Sequence, residues 1–306
     1  MNFIKNLIQS VHEKKSVVCM GLDPRMEKEG EIPHFLIKDL EEPNNIILEF
    51  NKTLIDSAYD LIPVIKPQIA FYEKYEALDA LKETIKYAHK KDLLVVLDSK
   101  RNDIGSTSEA YAYSMFEVYG ADACTVNAYL GIDGVKPFLD YNQKGIFILV
   151  KTSNPSSQDF QNLFSAPIKD IPNHTTEIEL ESVHLERNYI HMARLVKSWG
   201  VSLKKFENFH NLGVVVGATF PEELRTIRAI VPSSYILMPG YGVQGAQAED
   251  IKDGFYNNGL GGIVNSSRGI IYAYNNRKTY PPEKFAEAAR EEIIQMKKRI
   301  NEEIGL

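Results

Sequence analysis

Eight short apolar runs, each closing on polar residues or glycine and usually followed by a helical pattern, constrain this chain more than any other feature. They occupy residues 16–22, 62–65, 93–97, 121–126, 146–150, 212–216, 235–238 and 262–264. Between them apolar residues recur at helical spacing. Residues 1–15 carry Phe3, Ile4, Leu7, Ile8 and Val11, residues 46–59 carry Ile47, Phe50, Leu54, Ile55 and Ala58, and residues 72–91 carry Tyr75, Leu78, Leu81, Ile85 and Ala88. Further helices are predicted over 108–119, 134–141, 181–199, 221–230 and 282–304. Strands alternating with helices make a parallel sheet covered by helices. Eight such units, with polar residues at the end of every run, predict one closed (β/α)8 barrel, a TIM barrel, over residues 1–306. Long loops after strands 1 and 5, the latter polar over 156–176, take up the excess length. An open doubly wound sheet is the alternative, but no G-x-G-x-x-G follows the first run.

Composition narrows the function class. A net charge of −6 and the lack of any Lys/Arg-rich block argue against nucleic-acid or membrane-surface partners. No segment is long and apolar enough to span a bilayer, and residues 1–15 read as a first helix rather than a signal peptide, so cytoplasm is expected. Cys19 and Cys124 fall inside apolar runs without C-x-x-C spacing and read as buried thiols. The seven histidines are scattered, with no H-x-H or H-E-x-x-H, and predict no metal site.

In a barrel of this kind the functional residues sit at the carboxyl ends of the strands. Those ends supply Asp23, Lys66, Asp98, Lys100, Asp103, Thr152, Ser153, Gln244 and Arg268. The third run passes straight into Asp98-Ser99-Lys100-Arg101-Asn102-Asp103, and strand alternation predicts that Asp98 and Lys100 point the same way. Charges at the end of a hydrophobic strand are costly unless they pair or do chemistry. An alternating array of Lys66, Asp98, Lys100 and Asp103 keeps every member ionised. Taken alone, the cluster also fits a structural ion pair capping a strand. Gly240, Gly242 and Gly245 after the seventh run predict backbone N–H groups open to a phosphate, with Arg268 after the eighth adding a charge-assisted fork. A tight turn and a solvated arginine form the plainer alternative.

Asp98-Ser99-Lys100-Arg101-Asn102-Asp103-Ile104-Gly105 resembles the D-x-K-x-x-D-I signature of the orotidine 5′-monophosphate decarboxylase family. The likeness extends to Gly21-Leu22-Asp23-Pro24, Lys66-Pro67-Gln68-Ile69-Ala70-Phe71, Lys151-Thr152-Ser153-Asn154-Pro155, Pro239-Gly240-Tyr241-Gly242-Val243-Gln244-Gly245 and Asn265-Ser266-Ser267-Arg268, in order along nearly the whole chain. The long loops place it with the longer-chain subfamily. This resemblance implies cofactor-independent, metal-free decarboxylation of orotidine 5′-monophosphate to UMP, the last step of de novo pyrimidine nucleotide synthesis. It implies that Lys66, Asp98, Lys100 and Asp103 are the catalytic charged tetrad of a homodimer with shared active sites, Asp103 serving the partner's site. Lys100 is expected to stabilise and protonate the C6 carbanion, with Asp98 against the substrate carboxylate. Asp23 and Lys66 are expected on the ribose, joined by Thr107 from the partner, and Thr152 or Ser153 on the pyrimidine. Pro239 belongs with the substrate-binding residues, Gln244 bridges phosphate and base, and Arg268 grips the phosphate. Gln68 stands where some relatives carry asparagine. The rivals are a magnesium-dependent sugar-phosphate decarboxylase or aldolase of the same superfamily, and a non-catalytic nucleotide sensor.

Overall fold

The structure, a computed structural model, describes residues 2–28, 31–167, 175, 183–243, 245–275 and 279–306. Eight parallel strands close into a barrel: β1 (Val18–Leu22), β2 (Val64–Pro67), β3 (Leu94–Arg101), β4 (Ala123–Val126), β5 (Gly145–Lys151), β8 (His210–Val216), β9 (Ser234–Pro239) and β10 (Gly262–Ser266). Two short strands, β6 (Phe164–Ser165) and β7 (Glu186–Arg187), pair antiparallel outside the barrel, within the long connection after β5. Each barrel strand coincides with one predicted run to within a few residues. Val, Ile and Leu fill these strands because both faces are covered, by helices outside and by opposing strands inside.

The helix Phe3–Lys14 seals the amino-terminal end of the barrel. Its Phe3 ring meets Phe147 edge-on at 6.0 Å. Gly145 makes room for it, since a Cβ there would lie 2.3 Å from the ring. At the other end of the chain, Phe285–Ile304 packs against Pro43–Ala58, and the Phe50 ring stacks on Phe285 at 5.1 Å.

Three predicted helices differ in detail. Residues 72–91 hold two helices, Ile69–Lys74 and Leu78–Lys90, broken where Glu76 turns left-handed at φ 52°. Tyr75 is drawn out of helical register by its hydroxyl, which bonds Glu27 and the Met26 N–H. The helix predicted over 181–199 runs Asn188–Gly200, because Glu186 and Arg187 pair with β6; residues 181 and 182 lie outside the described residues. The helix predicted over 108–119 starts at Gly105 and widens into a π turn over Ser114–Val118. Within the polar segment 156–176, residues 156–167 hold a 3-10 turn at Pro155–Asp159 and β6, and residues 168–174 and 176 lie outside the described residues.

Candidate active site

Lys66, next to last in β2, and Asp98, in β3, are both buried, and Lys66 Nζ lies 2.7 Å from Asp98 Oδ2. Lys100 Nζ reaches the other oxygen, Asp98 Oδ1, at 2.6 Å, while its side chain stays 45% exposed to the cavity above. The pairing does not come from simple strand alternation. The β3–β4 register shifts between Leu97 and Arg101, and Lys100 adopts φ 47°, a left-handed backbone seldom seen in a residue with a side chain. The bulge aims the ammonium back at Asp98.

The two charges hold each other ionised. Burial alone raises a carboxyl, but the attraction and hydrogen bonds of Lys66 and Lys100 outweigh it and keep Asp98 well below the usual carboxylate range. For Lys66, burial pulls the ammonium down, and Asp98 and Asp23 more than reverse it, so the group is raised.

Two cavities of about 190 and 330 Å³ meet at Lys66, Asp98 and Pro239. The smaller is polar, walled by Asp23, Arg25, Gln68 and Arg268. The Asp23 Oδ1 and Arg25 Nε atoms are buried there without a hydrogen-bond partner among the described residues. Tyr272 fixes their turn, its hydroxyl accepting from the Arg25 N–H at 2.8 Å and donating to the Asp23 carbonyl at 3.1 Å. Gly21 brings the β1 end close to the β10 loop, since a Cβ there would fall 2.0 Å from Ser267 Oγ, beside Arg268. The larger cavity is mostly apolar, walled by Leu149, Val215 and Leu237, with Lys100, Thr125 and Ser153 at its edge.

One expectation about the anion site is corrected. Gly242 N–H donates to the Ala246 carbonyl and Gly245 N–H to the Gly242 carbonyl, so neither is open to a phosphate. These glycines supply the turn itself, with φ of 77° and 99°. Arg268, exposed at the start of Arg268–Ile271, lines the polar cavity and remains a candidate charge for an anion there. Gln244 lies outside the described residues.

Thr152 and Ser153 both line the apolar cavity but differ in their bonding. The Thr152 hydroxyl donates to Asn154 Oδ1 and accepts from Gln161 Nε2, both at 2.7 Å. Ser153 lines the apolar cavity and makes no side-chain hydrogen bond among the described residues. Beneath them Lys151 is fully buried, donates to Ser157 Oγ at 2.7 Å and lies 4.3 Å from the Phe220 ring centroid. It fastens the start of the long loop to the barrel. Sequence reading missed Arg25, Thr125 and Lys151; the signal for the last two was a polar residue at the closing end of an otherwise apolar run.

Asp103 and Thr107 stand apart. Neither lines either cavity, Thr107 is exposed, and the Asp103 carboxylate accepts from the Ile104 N–H at 2.8 Å with no ion pair among the described residues. The Asn102–Asp103 turn is held from below by the helix Ile132–Leu139, where a Cβ on Gly134 would lie 2.9 Å from the Asp103 carbonyl. Thus the chain assembles three of the four predicted charges.

A closed parallel barrel with a Lys–Asp–Lys cluster beside a polar pocket at its carboxyl end has the layout of a (β/α)8 enzyme, whose active sites lie at that face. Comparison with known proteins agrees and goes further. Residues 16–281 match the orotidine 5′-phosphate decarboxylase / HUMPS family. The chain is 38% identical over 300 residues to an orotidine 5′-phosphate decarboxylase from Petrotoga mobilis, covering 96% of each. It is 37% identical to one from Halobacterium salinarum, covering 98% of this chain and 99% of that protein. Among solved structures, the OMP decarboxylase of Leishmania donovani superposes with a TM-score of 0.71 at 30% identity, covering 97% and 99%. The chain belongs to the orotidine 5′-phosphate decarboxylase / HUMPS family.

Proposed function

We propose that this protein converts orotidine 5′-monophosphate to UMP without a cofactor, the last step of de novo pyrimidine nucleotide synthesis, in the cytoplasm. The observation that carries this reading is the buried Asp98 carboxylate held between two ammonium groups where a polar cavity meets an apolar one. A nucleotide fits that division, with phosphate and ribose in the polar half and pyrimidine in the other. Arg268 grips the phosphate, Asp23 and Lys66 bind ribose hydroxyls, and the Ser153 hydroxyl, rather than the hydrogen-bonded Thr152, meets the pyrimidine. Pro239 forms the wall shared by both halves, and Gln244 bridges phosphate and base.

The chemistry follows from charge. The C6–carboxylate bond breaks, CO₂ leaves, and the electron pair stays on C6. The Lys100 ammonium stabilises that pair and delivers its proton to C6, after which solvent reprotonates the amine. Asp98 lies against the departing carboxylate. Binding of the remote phosphate contributes energy for closing loops over the site and excluding water.

Asp103 and Thr107 complete the partner's site in a homodimer. In support, Asp103 makes no ion pair among the described residues and lies by exposed apolar side chains, Ile104, Tyr129, Leu130 and Ile132. Mixing refolded Lys100→Ala and Asp103→Ala proteins tests this. Each is inactive alone, and the mixture recovers about a quarter of wild-type sites if sites are shared; no recovery contradicts sharing.

A magnesium-dependent sugar-phosphate lyase is the rival within the family. Asp98 fits it poorly, because its oxygens already accept from Lys66, Lys100 and Thr125 and leave little for a cation. The deciding experiment follows the ultraviolet absorbance of orotidine 5′-monophosphate with purified protein in excess EDTA. A steady fall with UMP formation supports the proposal. UMP binding without turnover points to a nucleotide sensor, and activity on sugar phosphates only after magnesium is restored points to the rival.

A further inference from the structure

We infer that Thr125 is the positioning residue for the Asp98–Lys100 pair, its hydroxyl acting as a three-way clamp; the activity readout of this inference rests on the decarboxylase reading. Thr125 lies in β4 and is 1% exposed. Its Oγ1 accepts the Ser99 N–H at 3.0 Å and the Lys100 N–H at 2.9 Å, and donates to Asp98 Oδ1 at 2.8 Å. A hydroxyl has one proton and two lone pairs. Both lone pairs are taken by amides, so the proton has one destination, the Asp98 carboxylate. The hydroxyl is thereby fixed in direction, and it has no bonding capacity left for substrate.

The clamp sits where the strand is irregular. At the β3–β4 register shift a side-chain oxygen takes the place of a main-chain acceptor for two successive N–H groups. Ser99 Oγ returns a bond to the Thr125 carbonyl at 3.0 Å, locking the two strands on both sides of the bulge. Lys100 holds its left-handed φ of 47° within this frame, with its ammonium 2.6 Å from Asp98 Oδ1. Thr125 therefore acts through its neighbours: it aims the carboxylate, holds the unfavoured lysine backbone, and adds a hydrogen-bond donor to Asp98 beside the two ammonium groups.

The test compares Thr125→Val, which keeps the shape and removes the hydroxyl, with Thr125→Ser, which keeps the hydroxyl. For Thr125→Val the expected result is a kcat lower by about 10- to 100-fold, with KM and UMP affinity within about 3-fold of wild type. Thr125→Ser should hold kcat within about 3-fold of wild type. Wild-type kcat in folded Thr125→Val overturns the inference, as does an equal loss in both variants, which would assign the effect to the methyl group. If Thr125→Val does not fold, the serine variant decides alone: kcat kept supports the clamp, and a fall of about 10-fold or more overturns it. If wild-type protein does not decarboxylate the nucleotide, the functional reading has failed instead. The inference is then judged from the crystal structure of the folded variant. Loss of the Lys100–Asp98 contact in Thr125→Val, or its retention in Thr125→Ser, supports it, and the reverse overturns it.

Discussion

The two halves of the site are built on opposite principles. Around Asp98 every charge has found a partner inside the chain: Lys66 on one oxygen, Lys100 and Thr125 on the other. Around Arg268 some polar groups stand open, with Asp23 Oδ1 and Arg25 Nε buried and without a hydrogen-bond partner among the described residues. The first half carries its reorganisation cost in the fold, before any ligand arrives. The second half leaves polar groups unsatisfied until a ligand fills them, so its free energy appears as binding. The contrast predicts that substitutions in the first half act on kcat and on folding, and substitutions in the second on KM.

The sharpest separation comes from Lys100→Ala. It should lower kcat by at least about 10³-fold while UMP affinity, measured by calorimetry, stays within about 3-fold. Substantial activity in this variant would remove Lys100 from the role given to it. Asp98→Asn should cost about 3–5 kcal/mol of stability in urea unfolding at neutral pH, because it leaves the Lys66 ammonium buried beside a neutral group. That interaction also sets a pH dependence. The folded-state Asp98 pKa is lowered, so its contribution is full above the unfolded value of about 4 and is lost as pH falls from there toward the depressed folded value. Wild type should therefore lose stability more steeply than Asp98→Asn over that acid window, and parallel curves would break the argument.

On the binding side, Arg268→Ala should raise KM for the nucleotide by about 100-fold, with far less effect on orotidine lacking the phosphate. Equal losses on both substrates would mean that Arg268 does not read the phosphate. The smallest expected effect separates two neighbours: Ser153→Ala should weaken nucleotide binding by about 5-fold, and Thr152→Val should act mainly on the thermal stability of the loop it shares with Gln161.

The barrel was legible because its strands are buried on both faces and end in polar residues or glycine; every run in the sequence became a barrel strand. The small ribbon of Phe164–Ser165 with Glu186–Arg187 was not, since strands of two residues carry no periodicity. At the site, the residue types at the strand ends were readable and their grouping largely so. The manner of grouping was hidden. Alternation predicts that Asp98 and Lys100 share a side, but a bulge and a left-handed lysine bring them together. Nothing local in Thr125 announces that its hydroxyl makes this possible, because its two amide partners belong to a strand 25 residues away. The glycine turn shows the opposite error: Gly242 and Gly245 were real signals, read as anion ligands when their N–H groups are spent inside the turn.

The most direct test of the division is a pair of crystal structures, without nucleotide and with UMP bound. The Lys66–Asp98, Lys100–Asp98 and Thr125–Asp98 contacts should agree between the two within about 0.5 Å, while Asp23, Arg25 and Arg268 gain partners only in the UMP complex. A lysine–aspartate cluster that assembles only when nucleotide binds would contradict the account, because its catalytic half would then be made by the ligand rather than by the fold.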